Sequence, residues 1–190
     1  MRLKLLFYLL ASTACLASAQ TSTWVPDKAH SEVDFSVLHM SISNVHGRFG
    51  NIGGAIQWDE ADITKSSVSI TIDATSIDTG EGARDSELKG SSFFDVDKFP
   101  TATFVSTGVA KSVNGLIVNG NLTLHGVTKS VVLQVEGPNG PVAGMDHKPH
   151  AGFSAIATIN RRDFGIGSGF PTAIVGDEVK LSVDLEAIKQ

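Results

Sequence analysis

The sequence is short of cysteine, tyrosine and positive charge, and each shortage removes a class of function. Its one cysteine, Cys15, and one tyrosine, Tyr8, both fall inside an N-terminal leader. Arg2 and Lys4 give that leader a positive start, Leu5 to Leu10 an apolar middle, and Ala17-Ser18-Ala19 a small-residue cleavage site before Gln20. Residues 1–19 therefore read as a secretory signal peptide, and residues 20–190 as the mature domain. With the leader gone, no disulfide, thiolate nucleophile or cysteine-bound metal is available. A rival reading makes Cys15 a lipidated N-terminus, but Ser12 stands where an aliphatic residue is usual. Loss of Arg2 and Lys4 leaves 13 basic against 20 acidic residues, a net charge of −7, which excludes nucleic acid as a partner. No run of about 18 consecutive apolar residues exists, so stable membrane insertion through a helix is not expected.

Catalytic signatures are also missing. Gly165-Ile-Gly-Ser-Gly169 puts isoleucine where the first glycine of a G-x-S-x-G elbow belongs, and Phe170 stands in the last glycine place of G-x-G-x-x-G, so neither motif is present. Asp95, Asp97, Asp163 and Asp177 read as solvated turn acids, so the chain is not expected to be an enzyme and requires no cofactor. His30, His39 and His46 follow one another at odd steps, which on a continuous strand places neighbours on opposite faces. Asp146-His147-x-x-His150 sits in a loop able to hold a metal weakly. The expectation is no physiological metal site, with a metal-handling protein or an uncharacterised enzyme using these loop histidines as the alternative.

What is present is alternation of period two. Val33, Phe35 and Val37 oppose Glu32, Asp34 and Ser36 in a first strand spanning Ser31 to Met40. A second, Val45 to Trp58, changes phase between Phe49 and Ile52, and Gly50, Gly53 and Gly54 offer the bulge this needs. Val68, Ile70 and Ile72 mark the third and Ala102 to Val109 the fourth; Asn114-Gly115 signals a hairpin into the fifth, with Leu116, Val118, Leu122 and Leu124. Val131, Leu133 and Val135 carry the sixth, and a Gly/Pro loop over 137–149 precedes a seventh, Ala151 to Asn160, whose phase is undecided. Val179, Leu181, Val183 and Leu185 make the eighth and clearest. Eight antiparallel strands with almost no helix bury their apolar faces against one another, as a sandwich or a closed barrel. An eight-stranded barrel with a short helical cap is preferred because its interior can hold one small ligand.

The cap is the stretch that breaks the alternation. Four of the nine phenylalanines outside the leader fall between positions 93 and 104. A short helical turn over Arg84 to Ser92, with Phe93 and Phe94 turned inward and Pro100 marking its end, would close one end of the barrel. From these residues alone, a cavity and a solid core remain equally open.

Several motifs resemble the YceI-like family, the lipocalin-like polyisoprenoid-binding proteins of bacteria. They run from Trp24-x-x-Asp27-x-x-His30-Ser31-x-Val33-x-Phe35-x-Val37-x-His39-Met40 through Gly47-Arg48-Phe49 to Phe93-Phe-Asp-Val-x-x-Phe-Pro100. Leu122-Thr-Leu-His-Gly-Val-Thr-Lys129, Gly152-Phe-Ser-Ala155, Ile159-Asn-Arg-x-Asp-Phe-Gly165 and Gly176-Asp-Glu-Val179 continue the likeness, so it spans the mature chain. The family often has His, Ser and an acid where Glu87, Gly90 and Ser92 stand. The resemblance implies a periplasmic protein whose apolar tunnel takes a polyisoprenoid, an isoprenoid quinone or another long-chain lipid such as a fatty acid or amide. It tilts the choice toward a cavity, lined by Phe35, Val37, Phe49, Ile70, Phe93, Phe94, Phe99, Phe104, Leu122 and Phe153. Arg84 and Arg161 flank it as candidate head-group contacts, and a homodimer is left open.

Overall fold

A computed structural model describes residues 21–190; the signal-peptide reading of residues 1–19 lies outside them. The strands are β1 (Thr21–Pro26), β2 (Glu32–His39), β3 (Ser43–Phe49), β4 (Ile52–Asp59) and β5 (Ser67–Asp73). After helix α1 (Gly82–Lys89) come β6 (Thr101–Ser112), β7 (Gly115–Leu124), β8 (Val127–Ala143), β9 (Pro149–Asn160) and β10 (Val175–Lys189). Hydrogen bonding orders them β1-β4-β5-β6-β7-β8-β9-β10, and β1 returns to pair with β10, so the sheet closes.

The eight-stranded barrel is present, with two of its strand positions each split in two. β10 pairs with β2 over Val175 to Asp184 and with β1 over Ala187 to Lys189, so β1 and β2 together fill one position. Between them Asp27 bends the chain outward, its Oδ1 accepting the Ala29 N–H at 2.8 Å. β3 and β4 share the next position, split at the glycine-rich phase shift. There Asn51 has a positive φ of 53°, and Ser76 Oγ ties both the N–H and the carbonyl of Gly50 at 3.1 Å. β1 itself was not legible as a strand, because Thr21-Ser-Thr-Trp-Val-Pro26 carries one large inward apolar group, Trp24, ahead of a proline. That indole is 2 % exposed, and its N–H donates to Ser22 Oγ at 2.9 Å.

Other boundaries move for identifiable reasons. The expected loop over 137–149 is mostly strand: β8 and β9 stay paired out to Ala143 and Pro149, with register shifts around Asn139 that absorb Gly137 and Gly140. The hairpin turn is Val113-Asn114 rather than Asn114-Gly115, because Gly115 already pairs with Ser112. The undecided seventh strand turns Ala151, Ala155 and Ile159 inward and leaves Ile156 outside.

The cap forms, with its helix two residues earlier and three shorter at its end than the sequence suggested. Glu81 accepts the N–H groups of Ala83 and Arg84 with its carboxylate and so caps α1, which ends at Lys89 with Gly90 as its C-cap. The chain then turns tightly: Phe93 N–H reaches Gly90 O and Phe94 N–H reaches Leu88 O, both at 3.0 Å. This drives Phe93 against Phe170, centroids 4.9 Å apart, and Phe94 edge-on to Phe49 at 5.5 Å. The interior therefore has two packed regions, one around Trp24, Phe49 and Ile52 and one around Phe93, Phe104 and Phe164. Leu88 and Phe94 touch both.

Candidate apolar cavity

Between these two regions the barrel interior holds a partly open cavity of about 150 Å³. Side chains from β2, β4, β5, β6, β7, β8, β9 and β10 line it, so every strand position contributes. The lining is Val, Ile, Leu, Ala, Phe and Trp, and among the described residues its one polar member is Ser66. Ile63 and Ser66 come from the short 3-10 turn after β4 and bound the space at the end away from α1. Ser66 Oγ is already engaged by the Asp59 N–H at 3.0 Å. Apolar cavities of this order stay dry and accept apolar guests. Among the described residues no ionisable group stands on the wall, so the space suits hydrocarbon. A larger hollow of about 470 Å³ lies on the outer face between Asp34, His46, Gln134 and Lys180, and its polar rim suits water better than a lipid tail.

The expected lining residues divide into two sets. Ile70, Phe104, Leu122 and Phe153 stand on the cavity wall. Phe35 and Phe49 stack on each other at 5.5 Å in the Trp24 region, and Phe94 extends that chain; these three lie off the wall. Val37 is half-buried between Val45 and Val179 toward the far end of β2. Phe93 is buried in the cap, while Phe99 packs edge-on to His125 at 4.9 Å. Trp58, Val118, Val131 and Leu133 also line the wall, outside the expected set. The signal for all four was the strand alternation, which put them on inward faces; phenylalanine content pulled the selection toward the cap.

Both arginines are hydrogen-bonded to the protein itself. Arg84 donates from Nε to Thr79 Oγ1 at 2.8 Å and from Nη2 to Thr79 O at 2.9 Å. Arg161, 3 % exposed, sends its N–H groups to the carbonyls of Gly176, Ile166, Gly167, Phe170 and Val175. Five donors thus find five acceptors, and the loop from Gly165 to Val175 is wrapped around one guanidinium. Burial pushes its pKa down from the ordinary arginine value, with Asp177, 2.9 Å from Nη2, opposing. It pins this loop so that its Phe170 packs on Phe93.

The histidines lie away from the cavity. His125 Nδ1 is 2.9 Å from Phe164 O in the cap. His150 belongs to β9 and stands between Asp146 and Glu186 on the outer wall, and its pKa is raised by those hydrogen bonds, Asp146 first. The carboxylate of Asp27 likewise raises His30.

A closed antiparallel barrel whose cavity wall is hydrocarbon apart from Ser66 has the architecture of small-ligand binding barrels. The YceI-like domain model matches residues 24–187, and the chain belongs to that family. Protein YceI of Salmonella newport is 36 % identical over the full length of both chains. Among solved structures, BcnA of Burkholderia cenocepacia superposes with a TM-score of 0.72 at 29 % identity, covering 85 % of this chain and 98 % of its own. The YceI protein of Campylobacter jejuni gives 0.71 at 31 % identity, over 78 % and 87 %. A domain from Saccharophagus degradans described as polyisoprenoid-binding shares the fold, with a TM-score of 0.66 at 16 % identity over 90 % of this chain and all of that one.

Proposed function

We propose that this protein is an exported carrier that holds the tail of a long apolar lipid, of isoprenoid, isoprenoid-quinone or fatty-chain type, and performs no chemistry on it. The observation that supports this most is the cavity wall, to which all eight strand positions contribute hydrocarbon and where, among the described residues, Ser66 is the lone polar side chain. Charged or hydrogen-bonding ligands would lose their water partners there and gain none. The polyisoprenoid-binding description of the Saccharophagus degradans domain points to the same ligand class. Export follows from the leader, with cleavage after Ala19.

Native mass spectrometry of protein isolated gently from the periplasmic fraction of its own host tests the reading. One lipid per chain on a mature N-terminus of Gln20 is expected. An adduct-free spectrum, together with no uptake of isoprenoid alcohols or quinones from detergent, overturns it.

A further inference from the structure

We infer that Asp27, His30, His150 and Glu186 form a binding site for a divalent transition-metal ion of the zinc type, on the outer wall of the barrel and separate from the cavity. The strand parity that keeps His30 from pairing with His39 does not bear on His150, which arrives from a different strand. The split between β1 and β2 creates the site. Where the chain bulges out, its ends are clamped to β10 at one residue: Asp27 N–H donates to Glu186 O at 2.7 Å, and Ser31 Oγ accepts the Glu186 N–H at 3.1 Å. The bulge thereby sets Asp27 and His30 over the outward side chain of Glu186, and one ligand atom from each of the three lies within 4.8 Å of the other two. On the β9 side, His150 Nδ1 is 2.6 Å from Glu186 Oε1.

The fourth ligand is held from behind. His150 Nε2 is 2.9 Å from Asp146 Oδ1, and that oxygen also accepts the Lys148 N–H at 3.0 Å, so a rigid turn fixes the ring and leaves Nδ1 facing the cluster. A carboxylate behind a ligating imidazole is the arrangement that orients histidine at zinc sites. Asp27 is prepared in a similar way, with Oδ1 on the Ala29 N–H and Oδ2 turned to His30 Nδ1 at 3.0 Å. Two imidazoles and two carboxylates suit zinc, whereas calcium or magnesium would require six or more oxygens. A tetrahedral site with bonds of about 2.0–2.2 Å has neighbouring ligand atoms roughly 3.4 Å apart. The spread among Asp27, His30 and Glu186 and the 2.6 Å between His150 Nδ1 and Glu186 Oε1 bracket that spacing. Closing the site around an ion requires Asp27 and His30 to swing toward His150, which the 66 % exposed His30 side chain is free to do.

The test is calorimetric titration of tag-free, chelator-stripped protein with Zn²⁺ alone, paired with the visible spectrum on adding Co²⁺. One ion per chain and the intense absorption of four-coordinate cobalt are expected. His30→Ala and His150→Ala should each weaken binding at least a hundredfold, and Asp146→Asn, acting only through His150, about ten- to a hundredfold. His46→Ala, on the distant outer groove, should leave it unchanged. His30 is 66 % exposed on its side chain, so its removal spares the fold, and an unaltered melting curve of the metal-free variant checks this. Absence of saturable binding, a six-coordinate cobalt spectrum, or undiminished affinity in folded His30→Ala overturns the site.

Discussion

The ring of Phe104 lies across Gly120 on the neighbouring strand, so close that a Cβ at position 120 would overlap it. Phe104 is on the cavity wall, and Gly120 sits between the inward Val118 and Leu122, which makes the missing side chain part of the cavity's shape. Gly120→Ala should push the ring into the ligand space. Overpacking of this kind costs about 1–3 kcal/mol. Urea unfolding should show that loss, and uptake of an isoprenoid alcohol should fall at least threefold. Unchanged stability with unchanged uptake would place the ring elsewhere.

Adjacent valines on β8 offer a sharper contrast. Val131 is buried on the cavity wall, while Val132 beside it points out and is half exposed. Val131→Asp puts a carboxylate among hydrocarbon with no partner, a burial that costs at least about 2 kcal/mol even when the group stays neutral. Lipid uptake should be lost by tenfold or more, equivalent to about 1.4 kcal/mol. Val132→Asp should bind normally. Equal behaviour of the two variants in a binding assay on folded protein would contradict the cavity reading.

The sequence carried the barrel and its inward faces because a half-buried strand writes its orientation into every second residue. Val68, Ile70 and Ile72, or Val179 through Leu185, leave no ambiguity about which side is in. Three features escaped that code. β1 has one large inward group, Trp24, and no repeat to detect. β8 continues past Glu136 although Gly137 and Pro138 locally resemble a loop, since pairing with β9 supplies what composition does not. The third is the division of labour among the phenylalanines. Whether Phe93 faces a ligand or Phe170 depends on a loop held by Arg161 more than sixty residues away, and no local pattern reports such a contact.

Arg161 gives the next prediction. Arg161→Lys keeps the charge but replaces five fixed donors with three on a compact ammonium group, and lysine cannot reproduce the planar fork. At least two of the five carbonyls lose their partner, each orphaned buried acceptor costing about 1–3 kcal/mol. The variant should unfold at markedly lower denaturant, and limited proteolysis should cut first within 165–174. A parent-like midpoint would show that the carbonyl cage is dispensable.

The cap can be separated from the cavity in the same way. Phe93 is buried against Phe170 and stands off the cavity wall. Phe93→Ala should cost about 3–5 kcal/mol, the range for deleting a core phenylalanine. In protein confirmed as folded, affinity for a short isoprenoid alcohol should stay within about threefold of the parent. A tenfold loss would bring the cap into the binding site and enlarge the ligand's reach toward α1.

Acid should loosen the loop around Arg161 through Asp177. Its carboxylate lies below the usual aspartate range, held there first by the Thr172 hydroxyl at 2.6 Å, then by Arg162 Nε at 2.6 Å and by the charges of Arg162 and Arg161, with burial opposing. Because the folded value is depressed, the stability this group contributes is complete above its unfolded pKa of about 3.9 and is lost as pH falls through the folded value. Asp62, Asp73 and Asp78 are depressed as well, so the parent's own acid unfolding does not isolate Asp177. Comparison with Asp177→Asn does. The variant should be less stable than the parent at pH 7, and the two unfolding free energies should converge as pH drops below about 4. A difference that persists unchanged at low pH would mean that Asp177 acts through the shape of its hydrogen bonds and not through its charge.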